Sequence, residues 1–211
     1  VLCGPTGVGK SRFLRLLAEL GGQVLDLEDL AAHMGSVLGA HPTRPQPSQK
    51  LFESLVWDRL RRFDPARPIH VESESKRIGD LHTPETLLRR MRASPCLNLE
   101  APVPVRVALL KEEYAHFLAD PARLGDELDR LAQLRGQETV TRWKAMAVAR
   151  EWDALVAELL EHHYDPAYRR SLGQNFVLSP SSPSLVLHAA DEAHLRALAH
   201  AILDTPILDG V

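Results

Sequence analysis

The sequence has little cysteine, no marked excess of charge of one sign and no long hydrophobic run. Its 2 cysteines, at positions 3 and 96, form neither a metal knuckle nor a disulfide framework, which favours a reducing cytoplasm. A formal net charge of −3 excludes the global basic field of many nucleic-acid-binding proteins. No apolar run approaches the ~18 residues of a membrane span, and no signal peptide precedes the first motif. No spacing of His, Cys and Asp matches a zinc site. We therefore expect a cytoplasmic protein without a membrane partner.

Almost at its first residue the sequence contains a glycine-rich motif, GPTGVGKS, of the form G-x-x-x-x-G-K-[ST]. In such a P-loop, backbone N–H groups surround a phosphate, the lysine reaches the outer phosphate and the hydroxyl binds Mg²⁺. An apolar strand end precedes the motif and a segment with helical apolar spacing follows it. The alternative is a turn that merely caps a helix. The pattern predicts Ser11 as the Mg²⁺ ligand and phosphate binding by Gly4, Pro5, Thr6, Gly7, Val8, Gly9, Lys10 and Ser11.

Acidic residues follow two further apolar segments that we predict to be strands. The segment 23–28 ends in Asp26 and Glu28, and the segment 68–72 ends in Glu72, with Glu74 close behind. In parallel α/β sheets, ligands bind at the carboxyl ends of the strands. We therefore expect these four carboxyl groups beside the phosphates, where they hold a metal or activate a nucleophile.

The remaining elements predict an α/β domain followed by helices. The expected helices are 29–38, 49–63 (with Ser48 as N-cap) and 84–92, and the expected strands are 98–100 and 103–110. The proline-rich loop 39–48 is either a lid over a substrate or a plain connector. From residue 111 to 161 the pattern is helical, with Trp143 and Trp152 packed between helices. One apolar face is formed by Leu124, Leu128, Leu131 and Leu134.

This order predicts an α/β fold: a P-loop NTPase-like three-layer domain with a mostly parallel sheet, followed by a helical segment. We expect a P-loop α/β core at 1–110, a helical segment completing the same domain at 111–176, and a linker with a small strand–helix tail at 177–211. The strand expected at 185–187, which follows a Ser/Pro-rich linker, either joins the sheet edge or forms an appendage. Because the chain begins inside its first strand without an initiator Met, we expect a further part upstream.

Five motifs taken together resemble the carboxy-terminal P-loop domain of bacterial tRNA 2-selenouridine synthases. They are the P-loop, VLDLE (24–28) with HMGS (33–36), PSQKLFE (47–53), VESESKRIG (71–79) and HYDPAY (163–168). The resemblance runs in order from about residue 1 to residue 171 and leaves the tail uncovered.

The resemblance implies a transferase that modifies the wobble uridine in the anticodon loop of tRNA. In that family a 2-thiouridine sulfur is geranylated from geranyl diphosphate, and selenium from selenophosphate then replaces the S-geranyl group. The selenium step uses a catalytic Cys of an amino-terminal rhodanese domain, which this sequence lacks, and neither Cys3 nor Cys96 has the setting for that role.

Under this resemblance the P-loop holds a prenyl diphosphate, whose leaving charge the loop amides, Lys10 and Mg²⁺ neutralise. The catalytic candidates are Lys10, Asp26, Glu28, Glu72 and Glu74. The tRNA- or substrate-binding candidates are Gln49, Lys50, Ser75, Lys76, Arg77, His163, Tyr164, Asp165 and Tyr168.

Two other functions fit the same residues. The first is an ATP-dependent kinase of small substrates, which shares the P-loop, the acid-ended strands and the lid. The second is a non-catalytic module that binds tRNA or a nucleotide. Consumption of a prenyl diphosphate with thiolated tRNA distinguishes the proposed transferase from both.

Overall fold

The computed structural model describes residues 1–175, 183–188 and 192–204. The strands in this part of the chain are β1 (Leu2–Cys3), β2 (Gln23–Leu25), β3 (Ile69–Val71), β4 (Arg77–Ile78), β5 (Leu81–His82), β6 (Leu97–Glu100) and β7 (Ser184–Val186). The first helices are α1 (Lys10–Glu19), α2 (Leu27–Ala31), α3 (Gln49–Leu60), α4 (Glu85–Arg92), α5 (Val103–Glu113) and α6 (Ala115–Ala119). The later helices are α7 (Pro121–Asp129), α8 (Ala132–Arg135), α9 (Gln137–Ala149), α10 (Trp152–Leu159), a π-helix (Leu160–Tyr164), α11 (Asp165–Asn175) and α12 (Glu192–Asp204).

The strands form parallel pairs that one bridge joins into a single sheet. β2 pairs with β3, and β6 lies between β1 and β7, all in parallel. Leu2 of β1 bridges Glu72 directly after β3, and the Ser73 N–H donates to the Leu2 carbonyl at 2.9 Å. The spatial order is therefore β2-β3-β1-β6-β7, while β4 and β5 form a separate antiparallel hairpin. The predicted α/β fold with a mostly parallel sheet is confirmed.

Helices cover both faces of the sheet because successive strand residues point to opposite sides. Cys3 and Leu25 pack in one buried cluster with Phe52 of α3. Leu2 packs in a second cluster with Phe13 of α1 on the other face. The carboxyl ends of β1, β2 and β3 consequently meet at one edge between the helical layers. The loops that follow these three strands form the candidate site.

The helical segment is built around Trp143. This side chain has no solvent exposure and packs with Leu128 and Leu131, while its indole N–H donates to Glu158 at 2.9 Å. Trp152 packs against the same cluster, so the predicted placement of both tryptophans between helices is confirmed. Leu134, predicted to lie on the same apolar face, is 64% exposed. The predicted face was therefore wrong at its last position.

Residues 103–110 form most of helix α5, so the predicted strand there is wrong. Pro102 immediately precedes the helix and Pro104 lies in its first turn, where proline is tolerated because its missing N–H needs no intrahelical partner. Val107 and Leu110, one turn apart, are then buried together. Long-range packing has overridden the β propensity of the valines.

The segment after β2 turns into a helix earlier than predicted. The Asp26 carboxylate accepts a hydrogen bond from the Asp29 N–H at 2.8 Å and caps α2. Glu28 therefore lies on a helix and not at the end of a strand, and the helix predicted at 29–38 ends at Ala31. The two acids remain at the carboxyl edge of the sheet.

Helix α3 begins after Ser48, whose hydroxyl accepts from the Leu51 N–H as predicted. The apolar stripe predicted for this helix is Leu51, Leu55, Val56, Leu60 and Phe63. Val56 is buried as predicted and Phe52 is buried as well, whereas Leu51 and Leu55 are 51% and 37% exposed. The predicted apolar stripe was wrong at those two leucines because the aromatic ring of Phe52 fills the core.

The strand expected at 185–187 joins the sheet edge. β7 pairs with β6, with Ser184 opposite Asn98, and Leu195 and Ala199 of α12 pack in the cluster that contains α1. Most of the predicted Ser/Pro-rich linker lies outside the described residues. Among the helices that the structure describes, none combines the length and apolarity needed to cross a membrane.

Candidate phosphate-binding site

The loop after β1 reaches α1 through glycines with positive φ, which are +151° at Gly4, +77° at Gly7 and +85° at Gly9. A Cβ at Gly4 would lie 2.7 Å from the Leu99 carbonyl oxygen, and one at Gly7 would lie 2.6 Å from Leu110 Cδ1. Glycine is therefore required for both the backbone conformation and the close approach of β6 and α5. The Val8 N–H donates to the Pro5 carbonyl at 3.3 Å, and the Val8 side chain is buried in the core.

Lys10 and Ser11 open helix α1 at the mouth of this loop. The Lys10 ammonium donates to the carbonyls of Gly4 at 2.8 Å and Pro5 at 3.4 Å. The Ser11 hydroxyl donates to Glu28 Oε2 at 2.7 Å. A positive charge, a hydroxyl and a carboxyl group thus meet beside the loop, as a phosphate-binding site with a cation requires.

Glu28 and Glu74 form a hydrogen-bonded carboxyl pair near Ser11. Burial raises the pKa of Glu28, and burial followed by the charge of Glu28 raises the pKa of Glu74 to about 8. The hydrogen bond between them lowers the pKa of Glu28 and raises that of Glu74. A Cβ at Gly35 would overlap Glu28 and lie 2.8 Å from Glu74 Oε1, so the pair closes against this glycine.

Glu72 holds helix α2 in place from the core. It is 1% exposed, and its Oε1 accepts from the N–H groups of Leu27 at 2.7 Å and Glu28 at 3.0 Å. Burial, followed by the charges of Asp26 and Glu28, raises its pKa well above the usual range. The carboxyl group predicted to be catalytic therefore acts on the position of Glu28. Asp26, whose pKa burial also raises, lines the cleft and caps the same helix.

The carboxyl pair should make stability depend on pH. Because the pKa of Glu74 is raised to about 8 from 4.5, the folded chain keeps a proton that the unfolded chain loses. Stability therefore falls as pH rises between about 4.5 and 8. Glu74→Gln still donates to Glu28 but has no proton to lose. We measure the free energy of unfolding with urea at pH ~5 and at pH ~8.5. Its decrease between these two pH values should be about 2–4 kcal/mol smaller in Glu74→Gln than in wild type.

The exposed Glu138 of α9 supplies the control variant Glu138→Gln, which should keep the wild-type pH dependence. If the free energy of unfolding depends on pH equally in wild type and in Glu74→Gln, Glu74 is already ionised in the folded chain.

Arg106 of α5 supports the P-loop from the helical side. It is 4% exposed, its Nε donates to the Thr6 carbonyl at 2.9 Å, and its two terminal nitrogens donate to Asp165 at 3.0 and 2.6 Å. Sequence reasoning missed this residue because it assigned a strand to 103–110. The prolines at 102 and 104 were the signal that could have identified the helix. Asp165, predicted to bind tRNA or substrate, is engaged in this ion pair.

The π-helix brings His163 and Tyr164 to the cleft as consecutive residues. Arg135 donates to His163 Nδ1 at 3.0 Å and to the His163 carbonyl at 3.2 Å. Burial, then the charge of Arg135, lowers the pKa of His163 to about 4, so the ring is neutral at physiological pH. Burial raises the pKa of Tyr164 to about 12 and that of Tyr168 as well, so both phenols are protonated.

A cleft of about 950 Å³ lies beside the P-loop. The predicted site residues that it brings together are Gly4, Thr6, Gly7, Gly9, Lys10, Ser11, Asp26, Glu28, Glu74, Ser75, His163, Tyr164 and Tyr168. His41 and Arg44 of the proline-rich loop also line it, and Arg44 forms an ion pair with Asp29 of α2. The loop therefore lies where a lid would be, and its closure stays a prediction.

Other predicted binding residues lie away from the cleft. Gln49 accepts from the His82 N–H at 2.8 Å and donates to the His82 carbonyl at 2.9 Å, which ties α3 to β5. Arg77 folds back on the turn between β4 and β5. Lys50 and Lys76 have exposed side chains. Contact of these residues with RNA stays a prediction.

An apolar pocket of about 60 Å³ opens beside the cleft. Its side-chain walls come mainly from α6, α7 and α10 and include Phe117, Leu118, Leu124, Leu155, Val156 and Leu159. The residues that line both the pocket and the cleft are Thr6, Ser36, Leu110, Tyr114 and Tyr164. The apolar pocket and the cleft are therefore adjacent.

Comparison with known proteins identifies relatives of the P-loop region. The model of a family described as the tRNA 2-selenouridine synthase AAA domain matches residues 1–127. A protein named tRNA 2-selenouridine synthase from Marinobacter nauticus is 39% identical over 131 residues, which cover 61% of this chain and 34% of the relative.

Two further relatives carry the same name. The protein of Bdellovibrio bacteriovorus is 31% identical over 219 residues, covering 82% of this chain and 55% of the relative. The protein of Alcanivorax borkumensis is 34% identical over 199 residues, covering 80% and 53%. The chain thus spans between about a third and just over half of the length of these curated relatives.

Proposed function

The chain belongs to the tRNA 2-selenouridine synthase family, and from this membership we propose that it is the P-loop part of a cytoplasmic transferase that modifies a tRNA wobble uridine. In the proposed reaction, geranyl diphosphate first alkylates the sulfur of 2-thiouridine. Selenium from selenophosphate then replaces the S-geranyl group. We assign the prenyl transfer to this chain and the selenium step to a catalytic cysteine on a rhodanese domain, the partner normally fused upstream.

The apolar pocket beside the P-loop is the observation that carries this proposal. Loop N–H groups and Lys10 suit a diphosphate, and the pocket offers aliphatic and aromatic walls to a hydrocarbon chain. Thr6 and Leu110 line both spaces, so the apolar walls lie next to the phosphate site. The base and ribose of a nucleotide would leave polar groups unpaired in the pocket. A prenyl diphosphate therefore fits better than ATP.

The chemistry matches the charges at the site. Prenyl transfer breaks the bond between C1 of the donor and the diphosphate oxygen, which keeps the electron pair, and forms a C1–S bond to the base. Lys10 and the loop N–H groups are positioned to neutralise the leaving diphosphate. The uracil ring loses its N3 proton when the sulfur is alkylated, and the carboxyl group of Glu28, which lies beside Ser11, is our candidate acceptor.

Ser11 and Glu28 are the residues that would hold Mg²⁺. Their hydroxyl and carboxyl oxygens are hard ligands of the type that Mg²⁺ prefers, usually together with substrate phosphates. Within the described part of the chain, no group of three or more His, Cys, Asp and Glu forms a metal centre. Two protein oxygens leave most coordination positions to substrate phosphates and water, so this donor pair suits an ion shared with the diphosphate. When bound, such an ion supplies further positive charge to the leaving group.

The direct test is a single-turnover reaction of the chain with geranyl diphosphate and a tRNA that carries 2-thiouridine. We expect S-geranyl tRNA by mass spectrometry, with no ATP consumed and no competition by ATP. Phosphoryl transfer from ATP would identify a kinase. Intact tRNA binding without product would identify a non-catalytic binding module.

Val156→Phe tests the apolar pocket separately. Val156 is half-buried and lines the pocket, so a larger ring should fill much of its volume. By calorimetry we expect binding of geranyl diphosphate to weaken about tenfold while binding of inorganic pyrophosphate is unchanged. Val148→Phe, at a position that is 77% exposed on α9, is the matched control and should bind both ligands like wild type. If Val156→Phe leaves geranyl diphosphate affinity unchanged, the pocket does not hold the prenyl chain.

A further inference from the structure

We propose that Arg106 and Asp165 are a positioning pair that sets the orientation of the P-loop. The proposal rests on phosphate binding by that loop. The two side chains are 5% and 22% exposed, and Asp165 accepts from both terminal nitrogens of the guanidinium, at 3.0 and 2.6 Å. The remaining nitrogen, Arg106 Nε, donates to the Thr6 carbonyl at 2.9 Å. All three guanidinium nitrogens are thus engaged, and the group connects α11 to the loop.

The geometry of the peptide bond explains what this connection does. In a trans peptide unit the carbonyl and the following N–H point in opposite directions. Because the Thr6 carbonyl is held towards Arg106, the Gly7 N–H is turned away from α5. Gly7 lines the cleft, so this N–H is one of those available to a bound anion. The contact therefore orients a phosphate-binding donor without touching the phosphate.

The pair also accounts for the position of Asp165 outside the cleft. Both of its oxygens are occupied by Arg106, and it is not among the residues that line the cleft. Removing its charge would leave a buried guanidinium without its partner, which is a costly state that favours movement of the arginine. Arg106 would then turn away from Thr6. The effect of Asp165 on the loop is consequently transmitted through Arg106.

The test uses inorganic pyrophosphate as a probe, with binding measured by calorimetry well below the unfolding temperature of each variant. We expect Asp165→Asn to weaken binding about tenfold and Asp165→Glu, which keeps the carboxylate, to restore part of the affinity. Asp129→Asn is the matched control because Asp129 also accepts twice from one cation, Lys144, but on the exposed surface between α7 and α9. It should bind pyrophosphate like wild type.

Hydrogen exchange distinguishes positioning from a purely structural role. In Asp165→Asn, amides of the loop 6–9 should exchange faster, while those of α9 keep the wild-type rate. Arg106→Lys, which keeps the charge but loses the planar fork, should show the same pattern, and adding it to Asp165→Asn should cause little further loss of affinity. Wild-type affinity and loop exchange in folded Asp165→Asn would overturn the inference. If wild type itself binds no pyrophosphate, or binds it equally well after Lys10→Ala, the proposed phosphate site fails instead.

Discussion

Replacing Lys10 with Ala should lower the rate of prenyl transfer by about 10²–10³-fold, because the variant loses a positive charge placed beside the leaving diphosphate. The fold should survive, since the half-buried Lys10 side chain donates only to the carbonyls of Gly4 and Pro5 in the same loop. The rate is measured as single-turnover formation of S-geranyl tRNA, and unfolding is followed with urea.

Lys144→Ala is the control for this variant. Lys144 forms an ion pair with Asp129 on the surface of the helical segment, outside the residues that line the cleft. It should retain the wild-type rate. A Lys10→Ala chain that is folded and transfers the prenyl group at the wild-type rate would remove the P-loop from the mechanism.

Gly4→Ala should both destabilise the chain, by about 3 kcal/mol, and abolish detectable pyrophosphate binding. A Cβ at this position would lie 2.7 Å from the Leu99 carbonyl oxygen and 2.8 Å from Val8 Cγ1, and the backbone has a φ of +151°. The overlap with Leu99 involves the backbone of the neighbouring strand β6, which cannot move aside without disturbing its pairing with β1. Relief of the clash therefore displaces the start of the loop.

Gly21→Ala separates backbone strain from this steric clash. Gly21 also has a positive φ, +86°, but a Cβ there would meet nothing within 4 Å. We expect a loss of only about 1 kcal/mol in urea unfolding and unchanged pyrophosphate binding. If Gly4→Ala and Gly21→Ala are equally stable and both bind pyrophosphate, the tight approach of β1 and β6 is not needed for the site.

Local patterns accounted for the elements closest to the phosphate site. The strand, loop and helix around Gly4 to Ser11 follow from glycine spacing and apolar periodicity, and the N-cap of α3 follows from Ser48. Local sequence patterns gave the wrong prediction where the residues allow either a strand or a helix and long-range packing decides between them. The valines of 103–110 favour a strand, but burial of Val107 and Leu110 against the rest of the chain makes the segment a helix.

For the acidic residues, too, the sequence predicts the position and the packing of the folded chain decides the function. Their position after β2 and β3 follows from the general placement of ligands at the carboxyl ends of parallel strands. Their separate functions depend on contacts that no local pattern contains. Glu72 turns inward to hold the N–H groups of residues 27 and 28, whereas Glu74 turns to the cleft and shares a proton with Glu28. Burial and distance, which only the folded chain defines, separate these functions.

The sequence by itself determined the phosphate loop, the α/β class and the family resemblance, because these depend on residue types at short, fixed spacings. Only the tertiary structure decided how the loop is supported and what lies beside it. Arg106 and Thr6 are 100 positions apart, and they meet because α5 crosses the loop after β1. The apolar pocket next to the P-loop likewise exists only where helices α6, α7 and α10 meet, since its walls come from side chains that are distant in the sequence.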